Sequence, residues 1–192
     1  KGARFMPNLT GTEDLLGPAR LINVIQGSFK VSRREGDVLS TVLGSCVAVC
    51  LYDTLARLGG MNHFLLAEPS AGDAVDSHSL ERFGAFAMEQ LINEMIKNGA
   101  RRETMRAHVY GGGMLRPGME RIGTANRAFA RNFLERDRIL ISHEDVGGNS
   151  ARRVEFRVVS GQARCRQIPM TAADVPKSVK PPSRPVGDVE LF

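Results

Sequence analysis

The stretch Val38–Pro69, VLSTVLGSCVAVCLYDTLARLGGMNHFLLAEP, decides the fold of this chain. A hydrophobic run turns at Gly44-Ser45 and resumes at Cys46, and a further apolar run, Leu58–Leu66, contains His63. Short runs of apolar and β-branched residues separated by turn residues are typical of successive β-strands. The stretch therefore predicts consecutive strands, with Cys46 at the start of one of them.

The spacing of the last two runs predicts a hairpin that brings a thiol to an imidazole. If the four residues from Asp53 to Ala56 close the loop, Cys46 lies directly opposite His63, and directly opposite residues share a face of the sheet. A five-residue loop would put them on opposite faces, unless a bulge at Gly59-Gly60 restored the register. Either residue alone also fits a structural role, Cys46 as a small apolar residue and His63 as a core histidine.

Such a pair has a definite chemistry. A thiol becomes a good nucleophile when it is deprotonated, and a neighbouring imidazolium, here that of His63, favours the thiolate. A third polar group usually orients the imidazole, and the hydroxyls of Ser40 and Thr41 are both candidates. Backbone N–H groups of the turn at Gly44 and Ser45 are candidates to stabilise an oxyanion. The pattern predicts acyl transfer from an amide or ester by Cys46.

Bulk composition narrows the class of protein. A length of 192 residues with 42% hydrophobic residues suits one domain, and the net charge of +5 is spread along the chain. Without an apolar run of about 18 residues or an apolar signal segment, the sequence predicts a cytoplasmic protein that does not insert into a membrane. Three cysteines disfavour a disulfide framework and a four-cysteine zinc site. No nucleic-acid motif is recognisable.

The order of predicted elements gives an α+β fold. Strands outnumber helices, so we expect strand layers packed as a sandwich with two main helices on the outside. The chain divides into a flexible N-terminal arm (1–20), one domain (21–170) and a Pro-rich C-terminal tail (171–192). Leu21–Val31 reads as the first strand, and Ala163–Ile168 as the last.

The sequence predicts neither a metal ion nor an organic cofactor. His143, Glu144 and Asp145 are consecutive, so their side chains alternate in direction along a strand. Gly111–Gly113 is followed neither by a Walker lysine nor by a dinucleotide fingerprint.

Six ordered segments between Val38 and Ile168 carry a family resemblance: LGSCVAVCLYD, GGMNHFLL, ERFGAFAMEQLINEMIKNGA, GGGM, IGTANRAFARNFL and EDVGGNSARRVEF. They resemble the CheD family of chemoreceptor glutamine deamidases. The resemblance implies a CheD-like deamidase fold and a protein-glutamine glutaminase that converts glutamines of methyl-accepting chemotaxis receptors to glutamates. It implies Cys46 as the nucleophile, His63 as its histidine, and Ser40 or Thr41 as the third residue.

Two alternatives stay open beside the resemblance. One is another thiol acyl-transfer enzyme, such as a peptidase or a transglutaminase, that uses the same residues on a different bond or acceptor. The other is a non-catalytic chemotaxis adaptor that binds receptors or a CheC-type phosphatase, a partner that the resemblance also implies for the deamidase.

Overall fold

The computed structural model describes residues 19–66, 77–115 and 120–168. Over these residues the chain forms nine strands and two helices: β1 (Arg20–Asn23), β2 (Ser28–Ser32), β3 (Asp37–Leu43), β4 (Val47–Asp53), β5 (Leu58–Phe64), α1 (Ser77–Lys97), β6 (Arg106–Gly111), α2 (Glu120–Arg136), β7 (Leu140–Val146), β8 (Ala151–Arg157) and β9 (Ala163–Ile168).

The strands form two sheets. The outer sheet has the order β1-β3-β8-β9, and the central sheet has the order β2-β5-β4-β6-β7. In β3, Leu39 and Leu43 face the gap between the sheets, where they pack with Val154 and Phe156 of β8. Strands β4 and β5 are buried on both faces, which explains why β4 is a nearly continuous apolar run.

Both helices cover the face of the central sheet that points away from the outer sheet. Helix α1 packs on β2 and β5, and α2 packs on β4, β6 and β7. The buried face of α1 carries Met88, Leu91, Ile92 and Met95 at helical spacing. The molecule thus has three layers and two cores, and the predicted α+β sandwich with outer helices is confirmed. Neither described helix combines the length and apolar character needed to cross a membrane.

The predicted hairpin exists, but its predicted register is wrong. Asp53 pairs with Leu58 and Ala48 with His63, so the loop consists of residues 54–57. Asp53 ends the strand because its buried carboxylate accepts hydrogen bonds from the backbone N–H groups of Leu55 and Ala56, both at 3.0 Å. The shift moves each residue's partner by two positions, which preserves the side-chain face. Ala48 rather than Cys46 is therefore directly opposite His63, and Cys46, the predicted start of this strand, lies one residue before β4.

The predicted first strand, Leu21–Val31, is two strands in different sheets. Residues 24–27 leave the outer sheet after β1 and reach the central sheet at β2. Arg20, the last residue of the predicted arm, already belongs to β1. The rest of that arm up to residue 18, and the whole predicted tail, lie outside the described residues.

Candidate active site

The site lies where the chain crosses twice from the outer sheet to the central sheet. Strands β1 and β3 are parallel neighbours, so their carboxyl ends meet at the same end of the outer sheet. This pairing is anchored by Arg20, whose guanidinium donates two hydrogen bonds, at 2.9 and 2.7 Å, to the fully buried carboxylate of Asp37. The segment after β1 carries Gln26, and the segment after β3 carries Cys46. The parallel pairing therefore brings these two residues together.

Contacts of the Cys46 side chain follow from that arrangement. The thiol is half-buried and donates a hydrogen bond to Oε1 of Gln26 at 3.3 Å. The Cys46 side chain also packs against the core between the sheets, on the same side of the central sheet as Ala48. Ala48 pairs directly with His63, and Cys46 lies two residues before Ala48, just before the first residue of β4. The side chains of Cys46 and His63 therefore lie on the same side of the central sheet.

A buried hydrogen-bond chain fixes the proton of His63. The Thr41 hydroxyl donates to the carbonyl oxygen of Val24 at 2.7 Å, so its single proton is already used. Nδ1 of His63 lies 2.8 Å from the same hydroxyl oxygen and must therefore be the donor. In a neutral ring this leaves the lone pair on Nε2, and Nε2 is buried with no hydrogen-bond partner among the described residues. In neutral His63, Nε2 is thus the nitrogen that can accept a proton.

The two candidate hydroxyls lie on opposite faces of β3. Thr41 shares its face with Leu39 and Leu43, which point into the gap between the sheets. Ser40 lies on the alternate face of β3, and its carbonyl oxygen accepts a hydrogen bond from the N–H of Val24 at 2.8 Å. The structure brings Thr41 to His63 and leaves the Ser40 hydroxyl on the other side of the sheet.

Hydrogen bonds to three consecutive carbonyl oxygens fix the turn from Gly44 to Cys46. The N–H of Gly113 donates to the oxygen of Gly44 at 2.8 Å, and the N–H of Gly112 donates to the oxygen of Cys46 at 2.7 Å. The intervening oxygen, that of Ser45, accepts a bond at 2.9 Å from the side-chain amide of Asn126. Because C=O and N–H point in opposite directions across a trans peptide, these bonds also fix the N–H groups of the turn.

Two residues of this support come from distant parts of the chain. Asn126 of α2 is fully buried, and its oxygen accepts the N–H of Leu66 at 2.7 Å, so one side chain ties the turn to the end of the β5 segment. Gly111 of β6 has φ +106°, and a Cβ atom there would lie 2.2 Å from the oxygen of Cys46. Only glycine lets β6 approach the turn this closely.

Burial sets the charge state of the resting site. It raises the pKa of the Cys46 thiol to about 11 and lowers the pKa of His63 to about 4. Both groups are therefore neutral at pH 7. Removal from water disfavours the thiolate and the imidazolium alike, which is the main cause of both pKa shifts.

Sequence reasoning missed four residues of this site: Val24, Gln26, Gly111 as a support, and Asn126. A signal existed for the first two, since Gly27 interrupts the Leu21–Val31 run and a glycine inside a strand pattern indicates a turn or bulge. The remaining predicted residues, Gly44 and Ser45, form the turn before the thiol. In residues 19–66, 77–115 and 120–168, no three His, Cys, Asp or Glu side chains are grouped to hold a metal ion.

Fold and site define a two-sheet α+β protein with a thiol, a free base and an orienting hydroxyl at one end of the sandwich. The sequence model of the family described as "CheD chemotactic sensory transduction" matches residues 65–167, which is more than half of the chain. The chain belongs to the CheD family.

Individual relatives agree with this assignment. A "probable chemoreceptor glutamine deamidase CheD" of Zymomonas mobilis is 54% identical over 147 residues, covering 77% of this chain and 80% of the relative. A protein of the same name from Caulobacter sp. strain K31 is 46% identical over 182 residues, covering 92% and 95%. A solved Neisseria meningitidis protein of the DUF152 family model is similar with a TM-score of 0.40 and 13% identity, over 71% of this chain and 65% of that one.

Proposed function

We propose that this protein is a chemoreceptor glutamine deamidase, which hydrolyses selected glutamine side chains of methyl-accepting chemotaxis receptors to glutamate and releases ammonia. Membership of the CheD family and the names of the relatives support the reaction and the substrate. The observation that supports the catalytic assignment best is the hydrogen bond from Nδ1 of His63 to Thr41, because it leaves Nε2 without a proton on the side of the central sheet that Cys46 also packs against.

The first step is attack on the carboxamide. Since thiol and imidazole are both neutral at rest, Nε2 of His63 takes the proton as Sγ of Cys46 bonds to the amide carbon of the substrate. The resulting imidazolium is stabilised by the hydroxyl of Thr41, which accepts the Nδ1 proton at 2.8 Å. Creating the charges only in the presence of substrate avoids a free thiolate in a partly buried site.

The oxyanion that forms in this step needs donors that point towards the sulfur. The backbone N–H groups of Ser45 and Cys46 are the proposed donors, because the carbonyls of their peptide units are bound by the supporting residues on the far side. The N–H of Cys46 also favours the thiolate, since its hydrogen bond to the sulfur opposes part of the rise in the thiol pKa.

The remaining steps release the products and regenerate the free thiol. The imidazolium of His63 gives its proton to the leaving nitrogen, ammonia departs, and a γ-glutamyl thioester remains on Cys46. Neutral His63 then takes a proton from water, and the hydroxide attacks the thioester carbon. Collapse of this second tetrahedral intermediate releases glutamate and restores the thiol. Cys46 and His63 carry out every proton transfer, and Thr41 orients the imidazole, so no cofactor takes part in the proposed reaction.

The decisive experiment is incubation of the protein with a cytoplasmic receptor fragment, followed by peptide mapping. We expect glutamine-to-glutamate conversion, a gain of about one dalton, without cleavage or cross-linking. Cys46→Ala should abolish it, whereas Cys165→Ala, which removes another half-buried thiol, should retain it. A receptor fragment left unchanged by the unmodified protein would reject the assignment, and cleavage or cross-linking would favour a peptidase or transglutaminase.

The same variant separates the adaptor function. An adaptor that binds receptors or a CheC-type phosphatase, the second proposed partner, would keep its signalling role in Cys46→Ala, whereas a deamidase would lose it. We further propose that the protein works in the cytoplasm, because its three cysteines are all free, which suits a reducing compartment.

A further inference from the structure

The side chain that contacts the thiol is itself a glutamine. Gln26 is exposed, and its carboxamide oxygen accepts the hydrogen bond of Cys46 at 3.3 Å. The group next to the nucleophile is therefore chemically identical to the group that the enzyme is proposed to hydrolyse. We propose that Gln26 is a built-in competitor, whose carboxamide occupies the place of the receptor glutamine and must swing away before substrate binds. This inference rests on the proposed function.

The backbone around Gln26 is fixed, so only its side chain needs to move. Residues Ile25 to Ser28 form a β-turn, in which the N–H of Ser28 donates to the oxygen of Ile25 at 3.1 Å. Gly27 takes the position with positive φ, at +80°, and its N–H donates to the oxygen of His63 at 2.7 Å. The turn therefore holds the Cα of Gln26 beside the site, while an exposed side chain can rotate into solvent at little cost.

The contact is unproductive for hydrolysis of Gln26 itself. Attack requires the amide carbon to face the sulfur and the amide oxygen to face the backbone donors of the turn. In the structure the oxygen of Gln26 is instead bound by the thiol proton. The carboxamide thus blocks the nucleophile without presenting its carbon, and position 26 should remain glutamine in the active protein.

An intramolecular competitor has a specific kinetic effect. Only the fraction of molecules in which Gln26 has swung away binds substrate, so the apparent KM rises by a factor of one plus the ratio of occupied to open sites, while kcat is unchanged. The net contribution of one hydrogen bond corresponds to an occupancy ratio of about two to ten. Removing the carboxamide should therefore lower KM roughly three- to elevenfold.

A test without receptor uses alkylation of Cys46 by iodoacetamide, followed by peptide mapping, in Gln26→Ala and Gln26→Glu. We expect the alanine variant to react roughly three- to elevenfold faster, because its thiol is always uncovered. The glutamate variant should react more slowly and with a pH profile shifted upward, because a carboxylate beside the sulfur opposes the thiolate. Gln162→Ala, an exposed glutamine on the turn before β9, is the matched control. Equal rates, or a change in the same direction in both variants, would overturn the inference.

The kinetic test uses the receptor fragment. Gln26→Ala should lower KM with kcat retained, whereas a matching loss of kcat would show that Gln26 assists the chemistry and would refute competition. Glutamate found at position 26 of the purified unmodified protein would also refute it, since a competitor is not consumed. If the unmodified protein deamidates no receptor glutamine, the proposed function fails, and the alkylation rates still decide whether Gln26 covers the thiol.

Discussion

Replacing Thr41 by valine removes one hydroxyl and nearly preserves the side-chain shape. The hydroxyl accepts the Nδ1 proton of His63 at 2.8 Å and donates to Val24 at 2.7 Å, both in a buried position. During catalysis the ring carries a positive charge, and a hydrogen bond to a charged group contributes about 1.5–3 kcal/mol. Its loss should lower kcat roughly 10- to 150-fold. The Val24 oxygen, 3.4 Å from Nδ1, is a poorer substitute acceptor.

The assay is ammonia release from a receptor fragment, combined with urea unfolding of each variant. Thr41→Ser keeps a hydroxyl on the same face and should recover most of the activity. Ser40→Ala removes the neighbouring hydroxyl on the other face of β3 and should leave kcat close to that of the unmodified protein. Thr41→Val should also lower the free energy of unfolding by about 1–3 kcal/mol, because the Val24 carbonyl loses its buried donor.

Two results would refute this reasoning. If Thr41→Val folds normally and retains full kcat, the hydroxyl does not orient His63, and the deduced proton position has no bearing on catalysis. If Ser40→Ala instead loses activity while its unfolding is unchanged, the third residue is Ser40. Either outcome would require another account of how Nε2 of His63 is kept free of a proton.

Three further predictions concern the surroundings of the site. Burial lowers the pKa of His63 from its usual 6.5 to about 4, so between pH 6.5 and pH 4 the unfolded chain binds a proton that the folded chain does not. The free energy of unfolding should therefore fall by up to about 3 kcal/mol as the pH drops from 6.5 to 4. Urea unfolding of His63→Gln at the same pH values should lack this contribution. Asn126→Leu should cost about 2–4 kcal/mol and lower kcat, since it leaves a turn carbonyl unpaired, and unchanged unfolding in urea would contradict this role. Gly111→Ala should prevent formation of the active fold, because the new Cβ would overlap the oxygen of Cys46. Gly27→Ala has open space at a similarly positive φ and should lower the free energy of unfolding by only about 1 kcal/mol. Circular dichroism and ammonia release compare the two variants.

The sequence predicted the elements of the fold better than their pairing. The last strand was predicted near its observed bounds, Ala163–Ile168, and the two outer helices were expected. The hairpin register was missed because it depends on long-range contacts of Asp53. Asp53 reads as a turn residue, yet its carboxylate also accepts bonds from the N–H of Arg101 and the hydroxyl of Thr104, which draw it into the end of β4. Those partners lie about fifty residues away and leave no local signal.

The same limit applies to the site. Cys46 and His63 were recognisable because a turn and two apolar runs place them within one hairpin. Gln26 and Val24 became neighbours of that pair through the parallel pairing of β1 with β3, which adjacent sequence does not specify. Thr41 and Ser40 could not be separated before the structure, because the choice depends on which face of β3 meets the central sheet.

The bond between Thr41 and His63 joins two different sheets, since Thr41 belongs to β3 and His63 to β5. The length of this bond therefore depends on the distance between the two sheets. Larger or smaller side chains at inter-sheet positions such as Phe156 would change the hydrogen bond of His63 without any substitution in β5 itself. In the proposed mechanism, activity therefore depends on the spacing between the layers, and selection for that reaction would also act on packing far from the site.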